Sequence, residues 1–277
     1  MTDKKANYPG NATWSVETIP YHAIERETVR DDVLLLYTLA SASFVEITSD
    51  IYTRNLVEFF RHDPEIVQWL AHSWENEEKQ HGVALQRYVQ TAWPDFDWDG
   101  VYDAFLSEFR AYCTPEGLEP TRAREMASRC IVEMGTASYY TTLSRLSPDP
   151  VLSDLARRIA EDEVRHYKHF YRYFRRFQAK EKTGRIAVSR ALLSRLGKID
   201  GEDSRVAMKH LYLAANPGGR FDKIVLRNLR RGSRDLIRPH FPHRMCVRML
   251  LKPLGLGPRA QHLVAPVCET LARQLVP

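Results

Sequence analysis

Cysteine is scarce: four residues in 277, Cys113, Cys130, Cys246 and Cys268, with no Cys-x-x-Cys pair among them. That spacing excludes a thiolate zinc knuckle and a redox dithiol, and a chain of this length buries enough core to need no disulfide. No run approaches the roughly 18–20 uninterrupted apolar residues that span a bilayer, and the opening MTDKKANYPGNATW lacks the apolar centre of a secretory leader. A cytoplasmic protein without a transmembrane segment is expected, so the glycosylation pattern Asn11-Ala12-Thr13 carries no weight. Repeats of solenoid period are absent too, although two helix pairs echo each other.

Charge is abundant but divided. From Lys180 onward 20 Lys and Arg face 7 Asp and Glu, about +13, whereas the preceding chain has 20 against 28, about −8. An acidic partner would be steered to the tail, and a solvated surface or an oligomer contact such as a homodimer explains the same asymmetry equally well.

Glycine and proline are missing from Asp31 to Phe60, where apolar residues occupy a broad face, as in a long buried helix. Pro64 suits the first position of a second helix ending before Pro94. An amphipathic piece, VYDAFLSEFRAYC, and the loop TPEGLEP form a crossover to a third helix over Thr121–Leu146 and a fourth over Val151–Lys180. The pattern predicts an all-α protein: residues 1–30 as an N-terminal extension, 31–180 as a ferritin-like four-helix bundle with one long crossover, and 181–277 as a basic, mostly helical C-terminal extension packed on it.

Two of the ten histidines, His81 and His166, follow a glutamate by three positions, Glu78 and Glu163. On a helix each pair shares one face and forms half of a metal site. Glu46 lies 32 residues before Glu78 and Glu133 lies 30 before Glu163, one helix out and one back. Both glutamates interrupt apolar faces, where an unpartnered carboxylate is costly. Four carboxylates and two imidazoles in register suit two metal ions, iron (Fe2+/Fe3+) or manganese in preference to a thiolate-seeking metal.

At these residues the chain resembles the ferritin-like di-iron carboxylate proteins, and among them the soluble acyl-acyl-carrier-protein desaturases. Trp74-x-x-Glu77-Glu78-x-x-His81-Gly82 is similar to their W-x-x-E-E-x-R-H-G segment, with Gln80 in place of the arginine; Asp162-Glu163-x-Arg165-His166 is similar to D-E-x-R-H, and Glu133-x-x-Thr136 to E-x-x-T. The likeness covers about Val33 to Lys180. It implies that Glu78 and Glu133 bridge the irons, that Glu46 and Glu163 are terminal, and that His81 and His166 each cap one metal. Glu77 and Asp162 would accept a hydrogen bond from the ligand histidine of the facing pair. Thr136 would be a catalytic residue beside the oxygen-binding face, or a core threonine bonded to its own helix. His169 and Tyr140 share the ligand faces and are expected to be packing residues.

Three functions fit. The leading one is a desaturase-like, O2-dependent oxidase or oxygenase acting on a fatty-acyl or similar apolar substrate, supplied by an external electron donor. Small residues near the ligands, Ala42, Ser43, Ser49 and Gly135 or Ala137, would leave room for it, and Arg230, Arg231 and Arg234 would receive an acidic acyl-carrier protein. The second is a di-iron oxygenase that hydroxylates or N-oxygenates a small metabolite or a tRNA base. The third is a non-catalytic iron-binding protein. Nucleic-acid binding is disfavoured, since Tyr212 and Phe221 alone make a poor stacking surface.

Overall fold

Asp32, Asp63, Asp97, Thr121, Asp149 and Asp222 each stand just before a helix and accept a backbone N–H of its first turn. Each such cap stabilises its helix by about 1 kcal/mol, and Pro64 and Pro150 occupy the first helical position after two of them. The computed structural model describes residues 13–198 and 201–275, and the start of the chain, including Asn11 and Ala12, lies outside them.

Every regular element among the described residues is helical. A single turn, α1 (Arg26–Val29), leads into α2 (Val33–Ile47), α3 (Ser49–Phe59), α4 (Pro64–Trp69), a π turn (Leu70–Trp74) and α5 (Glu75–Ala92). The crossover contains α6 (Trp98–Phe109); α7 (Arg122–Leu146) and α8 (Pro150–Glu181) follow. The tail forms α9 (Arg185–Leu196), α10 (Glu202–Ala215), α11 (Lys223–Ile237), α12 (His243–Leu251) and α13 (Pro258–Leu275).

Two expected helices are subdivided. Thr48 ends α2 because its hydroxyl bonds the carbonyls of Val45 and Phe44 while its own backbone leaves helical geometry. Between α4 and α5 the chain stays helical but widens into the π turn. Val33–Phe59 is long and apolar enough to cross a membrane by length and composition alone, yet 56% of its most apolar window is buried inside the protein.

α2 packs on α5 and α7 on α8, and α5 meets α8 between the pairs. From the tail, α9 and α12 pack on α7, α10 on α2 and α6, and α12 on α13. The segment before α1 is anchored as well: Trp14, Ile19 and Tyr21 are buried, and Asp149 accepts from both the Glu25 backbone and the Tyr88 hydroxyl.

Apolar side chains gather in two clusters. One holds Leu39, Phe44, Leu85, Tyr88, Phe105 and Ile159; the other holds Leu56, Trp69, Ile131, Phe170 and Phe174. Each buried side chain of this size stabilises the fold by roughly 1.5–3 kcal/mol. On α5 and α8 the ligand-type residues fall where one cluster gives way to the other, and on α7 Glu133 lies within two turns of the changeover, so a polar site is flanked by apolar packing at both ends.

Candidate metal centre

α2 brings Glu46 to this boundary, α5 Glu78 and His81, α7 Glu133, and α8 Glu163 and His166, none more than 8% exposed. The one-turn spacing within each Glu-x-x-His pair turns both members toward the opposite helix. The pairs then interlock: His81 Nδ1 lies 3.2 Å from Glu163 Oε1, and His166 Nδ1 lies 3.0 Å from Glu78 Oε1.

Two overlapping groups result, Glu46, Glu78, His81 and Glu163, and Glu78, Glu133, Glu163 and His166, each with donor atoms within 4.8 Å of one another. Glu78 and Glu163 are common to both groups. The resemblance implied a shared role for Glu78 and Glu133; in the structure the glutamates of the facing α5 and α8 meet in the middle, each within reach of both imidazoles. Glu46 and Glu133 approach from the outer helices and reach one side each.

The far side of each ring is held by an acid from the opposite helix. His81 Nε2 is 3.1 Å from Asp162 Oδ2, and His166 Nε2 is 2.8 Å from Glu77 Oε2. Such contacts fix ring orientation and leave Nδ1 facing the carboxylates. Arg165 donates to both acids, to Asp162 Oδ1 and, at 3.2 Å, to Glu77 Oε2. Trp14 donates its indole N–H to Asp162 Oδ2 at 2.9 Å and stacks nearly parallel to His81.

Burial and the repulsion of neighbouring carboxylates push Glu46 well above the usual range; burial, which outweighs the attraction of the nearby His166 imidazole, does the same for Glu133. Glu78 and Glu163 go the other way: burial would raise them, but the two imidazoles hold both below it. Burial disfavours imidazolium, yet the surrounding carboxylates prevail and keep His81 and His166 well above the usual histidine value. Without cations, this much buried acid is balanced by protons.

The donor set fits metal ions on a second count. His81 Nδ1, His166 Nδ1, Glu133 Oε1 and Glu163 Oε1 are buried and converge on the same space, yet none makes a hydrogen bond. Orphaned buried acceptors are rare, and divalent cations satisfy several together while displacing the protons. Each group supplies one imidazole and three carboxylates, with no sulfur.

A cavity of 370 Å³ opens beside the centre, with Glu46, Glu78, Glu133 and Glu163 in its wall. Thr136 also lines it; its hydroxyl lies 2.7 Å from Glu163 Oε2 and also reaches the carbonyls of Val132 and Glu133. Gly135 and Ser49 line it, whereas Ser43 accepts from Trp98 Nε1 and Ala137 is packed in the interior. Gly82 permits the close crossing of α2 and α5, since a Cβ there would sit 2.5 Å from Ile47 Cγ1 and 2.6 Å from the Ile47 backbone nitrogen.

Three contributors escape sequence reasoning. Tyr140 is more than a packing residue: its hydroxyl donates to Glu46 Oε1 at 2.5 Å. The available signal was its place two turns after Glu133 on the same face. Arg165 stood inside the quoted D-E-x-R-H segment without a role, and nothing in the sequence pointed to Trp14. His169 stacks on Trp69 outside the ligand groups. Arg230, Arg231 and Arg234 lie on α11 beside a surface recess that shares no residue with the cavity. Comparison of the chain with family models, with curated proteins and with solved structures finds no match to any of them.

Proposed function

We propose that the chain is a ferritin-like di-iron protein that uses dioxygen to oxidise an organic substrate held in the cavity. The observation that carries this reading is the pair of overlapping groups, each with one imidazole and three carboxylates, opening onto a cavity with Val45, Val132 and Tyr139 in its wall. Glu46, Glu78, His81 and Glu163 would hold one ion and Glu78, Glu133, Glu163 and His166 the other. Oxygen and nitrogen donors without thiolate favour iron, with manganese as the alternative. When bound and reduced, iron supplies the capacity to activate dioxygen, which no side chain has.

The remaining work falls to the protein. Glu77 and Asp162 orient the histidines, Arg165 ties those two acids together, and the apolar clusters exclude water. Thr136 holds a proton at Oγ1 on the cavity wall, against Glu163. Whether a substrate is desaturated, hydroxylated or N-oxygenated follows from which of its atoms lies nearest the centre. An external electron donor would return the metals to the reduced state.

A desaturase-like enzyme acting on an acyl group presented by a carrier protein is a second, narrower reading, favoured by the arginine-rich face of α11. A non-catalytic iron protein needs no such cavity.

Anaerobic loading with Fe(II), metal analysis, and absorbance after mixing with oxygen test the proposal. Two irons per chain are expected, with a loss in Glu78→Ala and Glu133→Ala, and oxidation kinetics that respond to an organic substrate. Unchanged iron content in both variants would remove the ligand assignment; oxidation indifferent to all substrates would leave an iron-binding protein.

A further inference from the structure

The cavity has two chemically opposite ends. Beyond the carboxylates of the centre, its wall includes Arg129, Arg195, Lys198 and Asp203. Arg129, on α7 one turn before Glu133, is buried, and its Nε donates to Glu125 at 2.7 Å. Arg195, on α9, donates its Nε to Ser128 at 2.9 Å and forms no ion pair with a carboxylate of the described residues. Two guanidinium groups are thus fixed through Nε on one cavity wall. Glu125 pairs with Arg129 and Lys198 is exposed to solvent, whereas the partly buried Arg195 shares the wall with Asp203 without forming an ion pair with it.

Other groups in the wall also await a partner. Ser49 Oγ and Trp74 Nε1 line the same cavity in residues no more than 5% exposed, and neither makes a hydrogen bond. Both can donate to an acceptor inside. The Arg129 side chain leans back toward Glu125, which sets the cationic end about one to two helical turns from Glu133, on the order of 6–12 Å.

We propose that this cavity selects an organic monoanion: a carboxylic acid whose carboxylate pairs with Arg129 and Arg195 while its apolar body extends toward Glu133 and Thr136. A guanidinium matches the planar carboxylate through paired N–H donors. One guanidinium without an ion-paired carboxylate, that of Arg195, suits a monoanion better than a phosphate dianion. This subsite rests on the reading of the cavity as a substrate site, and it makes the free acid the substrate class instead of a carrier-bound thioester, which has no terminal charge to offer.

Octanoate spans about the distance between the two ends. Calorimetric titration of octanoate, octanamide and octyl phosphate into the full chain, with and without iron, tests the proposal, together with Arg195→Gln and Arg195→Lys. Octanoate is expected to bind at least tenfold more tightly than octanamide and more tightly than octyl phosphate. Arg195→Gln removes the preference over octanamide, and Arg195→Lys retains part of it. Equal affinity for acid and amide, tighter phosphate binding, or octanoate affinity unchanged in Arg195→Gln would overturn it. Should Arg195→Gln fail to fold, the three-ligand comparison on the native chain and on Arg195→Lys decides. Failure of the di-iron reading is seen separately, as fewer than two irons in the native chain.

Discussion

Trp14 and Asp162 are 148 positions apart in the chain, and the indole N–H of the first donates to Oδ2 of the second at 2.9 Å, on the same oxygen that meets His81 Nε2. The N-terminal segment is therefore part of the wall of the candidate centre. Asp162 is fully buried and takes hydrogen bonds from Trp14 and Arg165, so each of its oxygens is engaged before the imidazole is counted.

Trp14→Phe keeps the stacked ring and removes that one donor. A hydrogen bond to a buried charged acceptor contributes about 1.5–3 kcal/mol, and urea denaturation should show a loss of that order with iron stoichiometry retained. No change in stability would mean that Asp162 is equally well served without the indole.

Tyr140→Phe removes the hydroxyl that donates to Glu46 Oε1. Partners of this kind are worth about 10–100-fold in metal affinity. Glu46 belongs only to the group containing His81, so stepwise Fe(II) or Mn(II) titration should show one weakened site and one unaffected. Equal weakening of both would contradict the division of the ligands.

Gly82→Ala inserts a methyl group against both a side chain and a backbone nitrogen of Ile47. Overpacking of this sort costs about 1–3 kcal/mol, and spreading α2 from α5 draws Glu46 away from Glu78. Lower thermal stability and lower metal content are expected together. Ile47→Ala added to it should not restore either, because the backbone contact persists.

Glu108 ties the crossover helix α6 to the tail. Burial acts to raise its carboxyl, but hydrogen bonds from Lys209 at 2.6 Å and His210 at 2.9 Å prevail and hold it below the usual range. A carboxyl depressed in the folded state stabilises the fold above its unfolded value, about 4.3, and the contribution is lost as pH falls through the folded value. Because the group is partly exposed, Glu108→Gln should cost no more than about 1 kcal/mol at neutral pH. Thermal melts should show a deficit at pH 7 that shrinks as pH falls below about 4; a deficit independent of pH would assign it to packing.

Charge reversal at Arg230, Arg231 and Arg234 tests the carrier-protein reading. It should weaken binding of an acidic acyl-carrier protein about tenfold or more while iron content stays unchanged. Unaltered affinity in a surface-binding measurement would remove α11 as a docking face.

The helical class and the convergence of Glu46, Glu78, His81, Glu133, Glu163 and His166 were legible because they depend on local periodicity and on one-helix spacings. Which glutamates stand between the two histidines was not. That order is set by how α5 and α8 face each other, a tertiary relation that spacing does not encode. The break at Thr48 likewise comes from a side chain competing for helix carbonyls, in a stretch free of glycine and proline. Trp14 and Arg195 reach the site from segments with no periodic relation to the ligand helices, and nothing local said where they would be brought. Arg129 stands one turn before Glu133 on the same helix, so its place beside the centre was legible from spacing.

A π turn accommodates one more residue than an α-helical turn, and the one at Leu70–Trp74 separates Trp69, edge-on to Phe170, from the Glu77–His81 stretch. A single-residue deletion within the regular turns of α4 or α5 would rotate one part about 100° against the other, setting either the aromatic cluster or the carboxylates out of phase, whereas the same deletion within Leu70–Trp74 closes the π turn into an α-helical one and leaves both in place. The segment between Asp63 and His81 can thus lose one residue at the π turn and nowhere else in its helices. Other insertions and deletions should be confined to the connections flanking this segment, at 61–63 and 93–97.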